Sequence, residues 1–303
     1  MSDIKLFSTK GEVVSELAAH AATLEKALQT LFENNLETLL GVRFLASEYA
    51  TTHGGRMDTL GIDENGCPVI IEYKRDRNEN VINQGLFYLD WLMDHRGDFE
   101  VLVRDRLNRE VADNVEWSSP RLICIAGDFT KYDEHAVKQM SRNIELIRYK
   151  HFGGDLLLLD QITAVSEDTS RKLKPSQAGN GKPNTYKTIS RYLEEANEEL
   201  SDLYADVQSY LLSLGDDIQE KVLRFYVAFR RIKNFACVEI RPQIGAVRLY
   251  LKVDPDSVDI IDGFTRDMRG IGHFGTGDLE VTVTSFDELE RAKPLILRSY
   301  EAS

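Results

Sequence analysis

The 303-residue sequence has little of what marks several broad protein classes. It contains only three cysteines, Cys67, Cys124 and Cys237, far apart and without a CxxC spacing, and its histidines form no pairs. Both facts argue against a disulfide framework and a structural zinc site, and they make the reducing cytoplasm the expected compartment. No apolar run approaches the roughly 20 residues needed to cross a bilayer. The N-terminal stretch Met1-Ser-Asp-Ile-Lys lacks the apolar segment of a signal peptide. A membrane partner is therefore not expected. Positive charge is also short: 37 Lys and Arg stand against 50 Asp and Glu, a formal net charge of -13. That balance argues against a protein that coats DNA by bulk charge, because phosphate neutralisation needs a local excess of Lys and Arg.

What is present suits two ordinary domains. Hydrophobic residues make up 42% and charged residues 29%, enough apolar material to bury a core. Charge is unevenly spread: residues 1–165 carry 18 basic and 27 acidic side chains, and residues 166–303 carry 19 and 23. Within the second part, residues 194–220 hold nine acids and no base, while residues 221–252 hold eight bases and one acid. The acidic run reads first as a solvated helix face.

Apolar spacing predicts a helix over about residues 16–40, then strands at 42–50, 56–63 and 68–75. A helix at 80–94 follows, then a strand at 99–104, a charged helix, a strand at 122–126, a helix at 134–142, and strands at 144–149 and 155–159. This order predicts an α/β domain with a mixed sheet over residues 1–165. Residues 166–186 are polar and rich in Gly, Pro and Ser, and read as a flexible linker. Residues 187–303 predict an α+β domain, with helices over 188–213 and 215–232 and strands at 236–241, 246–253 and 279–284.

Function is most legible at the turn Glu64-Asn65-Gly66, since Asn and Gly tolerate positive φ and favour a hairpin. A three-residue loop pairs Asp63 with Cys67 and sets Asp58 directly across from Glu72; a two-residue turn shifts this by one position and leaves them neighbours. Lys74 falls two residues past Glu72, on the same sheet face. Opposed residues hold their Cβ atoms roughly 4.5–5.5 Å apart, and two carboxylates that close repel, so one must take up a proton or a cation must sit between them. Oxygen ligands suit Mg²⁺ or Mn²⁺ rather than zinc, and Lys74 could orient a water or offset charge on a phosphate. The plain alternative is a salt-bridge ladder in which Lys74 neutralises both acids. The apolar Val69-Ile70-Ile71 leading into Glu72-Tyr73-Lys74 favours the first reading, because polar groups then emerge at the end of a buried strand.

Gly55-Arg56-Met57-Asp58 and Val69-Ile70-Ile71-Glu72-Tyr73-Lys74-Arg75 resemble the PD-(D/E)xK nuclease superfamily, most closely the nuclease domain of NucS-type endonucleases. Asn83-Gln84-Gly85-Leu86-Phe87-Tyr88-Leu89 is similar to that family's helix, and Leu31-Phe32-Glu33-Asn34-Asn35-Leu36-Glu37 to its opening segment. The resemblance implies a restriction-endonuclease-like αβββαβ core, Asp58 and Glu72 as metal ligands, Lys74 as the catalytic lysine and Gln84 as an accessory polar residue. It implies a first-helix acid at Glu33 or Glu37, with Glu37 preferred. Tyr88 and Trp91 read as core packing. Arg56, Arg75 and Arg77 are candidate phosphate contacts, diluted by Asp76 and Glu79. Gly85 and Phe87 stand where the family often has Leu and Arg, which puts DNA contacts from that helix in doubt.

In the second half, Arg230, Arg231 and Lys233, with Arg241, Arg248 and Lys252 among Phe225, Tyr226, Phe229 and Tyr250, suggest a basic, aromatic surface for nucleic acid. Core aromatics with cations balancing the acidic helix are the alternative. Gly270-Ile-Gly272-His-Phe-Gly275 matches a dinucleotide fingerprint by letter only, because it precedes a strand. This half resembles an uncharacterised bacterial domain that follows nuclease-like domains in proteins labelled predicted transport proteins. The leading expectation is a metal-dependent nuclease acting on DNA in repair or defence, with a homodimer compatible. The alternatives are a nucleic-acid-binding protein that keeps the nuclease fold without catalysis, and a regulatory protein sensing a small anionic ligand through its second domain.

Overall fold

The structure, a computed structural model, describes residues 4–9, 13–22, 24–75, 81–165 and 188–303. The linker expected at 166–186 and the candidate Arg77 lie outside these residues. The chain divides into two compact units, Met1–Glu167 and Asp168–Ser303.

The first unit begins with strands β1 (Leu6–Ser8) and β2 (Ser15–Leu17), which pair with each other, and β3 (Ala19–His20). Helices α1 (Glu25–Glu33) and α2 (Leu36–Leu40) precede strands β4 (Val42–Ala50), β5 (Arg56–Asp63) and β6 (Pro68–Lys74). Then come α3 (Val81–Asp94), α4 (Arg96–Arg106), α5 (Arg109–Asp113), β7 (Arg121–Ala126), α6 (Lys131–Lys138), β8 (Asn143–Phe152) and β9 (Leu156–Val165). The sheet runs β3-β8-β7-β6-β5-β4, with β9 also on β8. Strands β4, β5 and β6 are antiparallel, whereas β6, β7 and β8 are parallel, so the sheet is mixed as expected.

Burial explains why β6 and β7 read as apolar runs without alternation: almost every residue in them is buried, as in strands covered on both faces. Helix α3 lies against them through Val81, Gly85, Tyr88, Leu89 and Leu92. Gly85 permits this approach, since a Cβ there would fall 2.4 Å from a Leu122 methyl. That contact accounts for glycine at this helix position. Beneath the hairpin turn, the Arg121 guanidinium bridges Asp63 (2.9 Å) and Glu145 (2.8 and 3.0 Å) in a wholly buried ionic cluster.

The second unit contains α7 (Ile189–Glu195), α8 (Glu198–Ser213), β10 (Gln219–Val222), β11 (Val227–Arg230), β12 (Asn234–Arg241), β13 (Ala246–Leu251), β14 (Thr265–Asp267), β15 (Leu279–Val283) and α9 (Phe286–Glu301). Its strands form one antiparallel sheet in the order β10-β11-β12-β13-β15-β14. Residues of α7, α8 and α9, among them Ile189, Leu203, Val207, Leu289 and Ile296, share one core with Val238, Leu249 and Val281 of the sheet.

Three expected elements are corrected. The long first helix is instead short strands followed by α1 and α2, broken at Asn34-Asn35 and ended by Gly41 at φ 64°. The strand expected at 99–104 is helix α4, whose buried Phe99 and Val103 are four residues apart on one helical face. The helix expected at 215–232 is the β10–β11 hairpin; β11 is buried throughout, so no two-residue alternation survives to announce it. Among the described residues, no helix is long and apolar enough to cross a membrane.

Candidate active site

The hairpin forms in the register that the three-residue loop dictates. Asp63 N–H donates to the Cys67 carbonyl, and Gly66 takes φ 78° in the turn. Thr59 pairs with Ile71 and Leu60 with Ile70, which sets Asp58 across from Glu72. There the regular ladder opens. Asp58 N–H donates to Glu72 Oε1 (3.2 Å), and Tyr73 N–H donates to Asp58 Oδ2 (3.0 Å). Each carboxylate thus takes a backbone donor from the facing strand.

Glu72 is fully buried, and its Oε2 has no hydrogen-bond partner. Burial, then the nearby Asp58 charge, pushes the Glu72 carboxyl up to about 9. Burial also raises the Asp58 carboxyl, against the opposing pull of the Tyr73 amide and Lys74. Two carboxyl groups that both resist ionisation mark a place lacking positive charge. Lys74 lies on the same face, but its Nζ is engaged by Glu25 Oε1 (3.1 Å), whose other oxygen accepts from Arg75 N–H (3.3 Å).

Two acids escaped the sequence reading. Glu25 opens α1 and reaches Lys74 from the helix. Glu48 sits between the Ser47–Thr59 and Tyr49–Met57 pairs of β4, facing Asp58 from the side opposite Glu72. It has φ 51°, the one non-glycine residue at positive φ among the described residues. Such a conformation is costly for a residue with a Cβ and gathers at functional sites. Its carboxylate meets Lys26 (3.3 Å) and Arg56 (3.4 Å), and its charge adds to the upward shift of Asp58.

The two candidate first-helix acids lie in different surroundings. Glu37 is exposed on α2. Glu33 instead accepts from Thr59 Oγ1 (2.7 Å) and Gln29 Nε2 (2.9 Å), on the sheet face away from Asp58. Gln29 also donates to the Asp58 carbonyl (2.7 Å), tying α1 to the strand that carries the site. Gln84 contacts the Tyr88 hydroxyl (3.5 Å), which accepts from Arg56 N–H (3.2 Å), so it touches the site only at second hand. Tyr88 and Trp91 are buried in the core. Arg56 is bound to Glu48, and Arg75 is exposed at the end of β6. In the second unit, Arg230 is 1% exposed and donates to the carbonyls of Arg231 (3.2 Å) and Ile232 (2.8 Å). Arg231 pairs with Asp217 (2.7 Å) and lies over the Tyr300 ring, and Lys233 is half-buried, so the expected basic surface is dispersed.

Among the described residues, no three His, Cys, Asp or Glu side chains cluster to hold a metal ion. The donor set at the site is therefore Asp58 and Glu72, whose open Oε2 is the oxygen in want of a partner. That set fits Mg²⁺, which is commonly held by one or two carboxylates with its remaining positions filled by water.

Comparison with known proteins gives three results. Residues 189–303 match a family described as a domain of unknown function (DUF5655). A protein of Haemophilus influenzae, described as uncharacterized, is 29% identical over 303 residues, covering 97% of this chain and 98% of that one. Among solved structures, a repair endonuclease from Pyrococcus abyssi matches at 20% identity and a TM-score of 0.27, over 41% of this chain and 46% of its own. An EndoMS-dsDNA2 complex matches at 24% identity and a TM-score of 0.26, over 46% and 49%. The chain thus spans a little under half the length of these structures.

Proposed function

We propose that the first unit is a divalent-metal-dependent nuclease whose substrate is DNA. The observation that carries this reading is the facing pair Asp58 and Glu72, both pushed toward protonation, with Lys74 two residues further along the same strand face. The order α1-α2-β4-β5-β6-α3, with β7 parallel to β6, supports reading the centre of this unit as the αβββαβ core of PD-(D/E)xK nucleases. The second unit would then recognise substrate or partner, and the chain would work in the cytoplasm.

Asp58 and Glu72 would hold the cation. When bound, Mg²⁺ supplies charge neutralisation at the phosphate and makes water a stronger nucleophile at neutral pH. Lys74 Nζ acts in its own right as a positive donor toward a phosphate oxygen, once it leaves Glu25. Glu25 holds that ammonium at the strand end in the meantime. The Tyr73 and Asp58 amides fix the two carboxylates, so their oxygens are oriented before any ligand arrives. Glu48, facing Asp58, adds to the negative potential that attracts a cation.

The test is cleavage of single-stranded, duplex, branched and mismatched DNA, and of RNA, with Mg²⁺ or Mn²⁺. Activity should vanish in Asp58→Ala and Lys74→Ala, and in Asp58→Asn, which keeps an acceptor for the Tyr73 amide. Equal residual cleavage by wild type and the variants would show contamination and overturn the assignment. A second reading, a binding protein with this fold and no catalysis, is favoured by the engagement of Lys74 with Glu25. It expects DNA binding in wild type and Lys74→Ala alike, with cleavage in neither.

A further inference from the structure

The second sheet has one face packed by helices and another lined with charge. On β12 and β13, Glu239 lies opposite Arg248 and Cys237 opposite Tyr250; on β15, Glu280 lies opposite Tyr250. Arg241 follows Glu239 by two residues, so strand alternation puts all of these on the face away from core residues Val238, Ile240, Leu249 and Val281. Arg241 and the Tyr250 hydroxyl (3.4 Å) both contact Glu239 Oε2. Arg248 pairs with Glu280 (3.7 Å). The loop between β14 and β15 lies over this floor, and its His273 ring stacks on Tyr250 at 4.5 Å and 22°. Close approach is built in: a Cβ at Gly275 would fall 2.6 Å from the Cys237 side chain, and one at Gly277 2.5 Å from the Leu251 backbone nitrogen.

Contacts within the cluster leave four buried polar atoms without a hydrogen-bond partner: Glu239 Oε1, Arg241 Nε, Arg248 Nε and His273 Nε2. A self-contained ionic network would close these positions, because burying an unpaired polar atom is costly. The open atoms are also complementary in kind. Two guanidinium Nε edges offer donors to an oxyanion, and one carboxylate oxygen asks for a donor. The arginine side chains are 26% and 28% exposed, though their Nε atoms are themselves covered, whereas Glu239 is 4% exposed, so an oxyanion approaches along the arginines and the donor group reaches deeper. A carboxylate fills one guanidinium fork; a tetrahedral phosphate has enough oxygens to bridge two.

We infer that this face of the second unit binds a phosphate monoester of a small molecule bearing hydroxyl or amide N–H groups, of the mononucleotide or sugar-phosphate class. Its phosphate lies on the Nε edges of Arg241 and Arg248, and its donor group lies on Glu239 Oε1. A free mononucleotide and the 5′-phosphorylated end of an oligonucleotide present the same chemistry, so the experiment carries both.

The test uses the full chain in calorimetric titrations and thermal melts. The probes are 5′-GMP, 5′-AMP, glucose 6-phosphate, the three unphosphorylated counterparts, inorganic phosphate and a 5′-phosphorylated oligonucleotide. At least one monoester should raise the melting midpoint and bind at least about tenfold more tightly than its unphosphorylated counterpart. Arg248→Gln should weaken it by about tenfold or more, and Glu239→Gln should remove its advantage over inorganic phosphate. Arg248→Lys, which keeps the charge and loses the fork, should bind as weakly as Arg248→Gln. Hydrogen exchange on the wild type, which needs no variant, should gain protection over residues 236–251 and 270–278. The inference is overturned by a panel without a binding monoester, by equal affinity for the unphosphorylated compounds, by variants that bind like wild type, or by protection elsewhere.

Discussion

A carboxyl group pushed to about 9 carries a proton at neutral pH, and on the proposed reading a bound cation would displace that proton from Glu72. The linkage has a definite sign. Unfolded, Glu72 titrates near its ordinary 4.5; folded, it holds its proton up to about 9. Between those values the folded chain binds more protons, so without a divalent ion stability falls as pH rises through that window. Asp58, raised by the same burial, adds to the trend. Thermal melts without divalent ions should therefore drop from pH 6 to pH 9, and Mg²⁺ should raise the midpoint more at the upper end than the lower. Glu72→Gln keeps an acceptor for the Asp58 amide while removing the titration. It should flatten the pH dependence and abolish the Mg²⁺ shift, and a Gln variant that still responds to Mg²⁺ would place the cation elsewhere. A second residue-scale test concerns Glu25. If it competes with phosphate for Lys74, Glu25→Gln should lower KM for DNA with little change in kcat, measured as initial rates against substrate concentration.

Packing between elements makes its own demands. Gly85 brings α3 onto β7, and Gly85→Ala should cost about 1–3 kcal/mol in chemical denaturation, because the added methyl overpacks against Leu122. The double variant with Leu122→Ala should lose less than the sum of the two single losses, because the shortened neighbour makes room for the added methyl. Under the hairpin, Arg121→Met strands Asp63 and Glu145 in a buried site, and a loss of roughly 3–5 kcal/mol is expected by the same measurement. At this scale the sequence was most readable where local chemistry and tertiary structure agree. Asn65-Gly66 settled the turn, the turn settled the register, and the register brought Asp58 to Glu72. Reading failed where burial erased periodicity. In β11 all four residues are buried, and the short apolar run of α4 reads as a strand although Phe99 and Val103 meet the core on one helical face. Glu48 was invisible for another reason: its position depends on a bulged pairing of β4 with β5, and no short-range pattern carries that. The dispersal of Arg230, Arg231 and Lys233 also depends on which cations the fold buries, a matter composition does not register.

For the molecule as a whole, the charge of -13 sets the terms on which the proposed DNA substrate would be met. The first unit has more acids than bases, and its exposed Arg56 and Lys26 are already committed to Glu48. Binding should thus depend on the divalent ion more than on a field of lysines. Fluorescence anisotropy with labelled duplex and the Asp58→Asn variant's parent in Ca²⁺ should show weak affinity that collapses with a chelator. Its dependence on monovalent salt should be shallow, with a slope matching only a few phosphate contacts. A steep slope without divalent ions would reveal a basic groove that these residues do not form.

The opening of the ladder at Asp58 and Glu72 has a consequence for how such a site ages. Each acid there is also the acceptor for a neighbouring strand's amide, so loss of either side chain leaves a backbone donor unsatisfied. A descendant of this fold relieved of its chemistry is not thereby relieved of those two amides. Drift should run through Asn, Gln or Ser before Ala or Val, leaving a polar scar in the sheet whether or not the proposed reaction is kept.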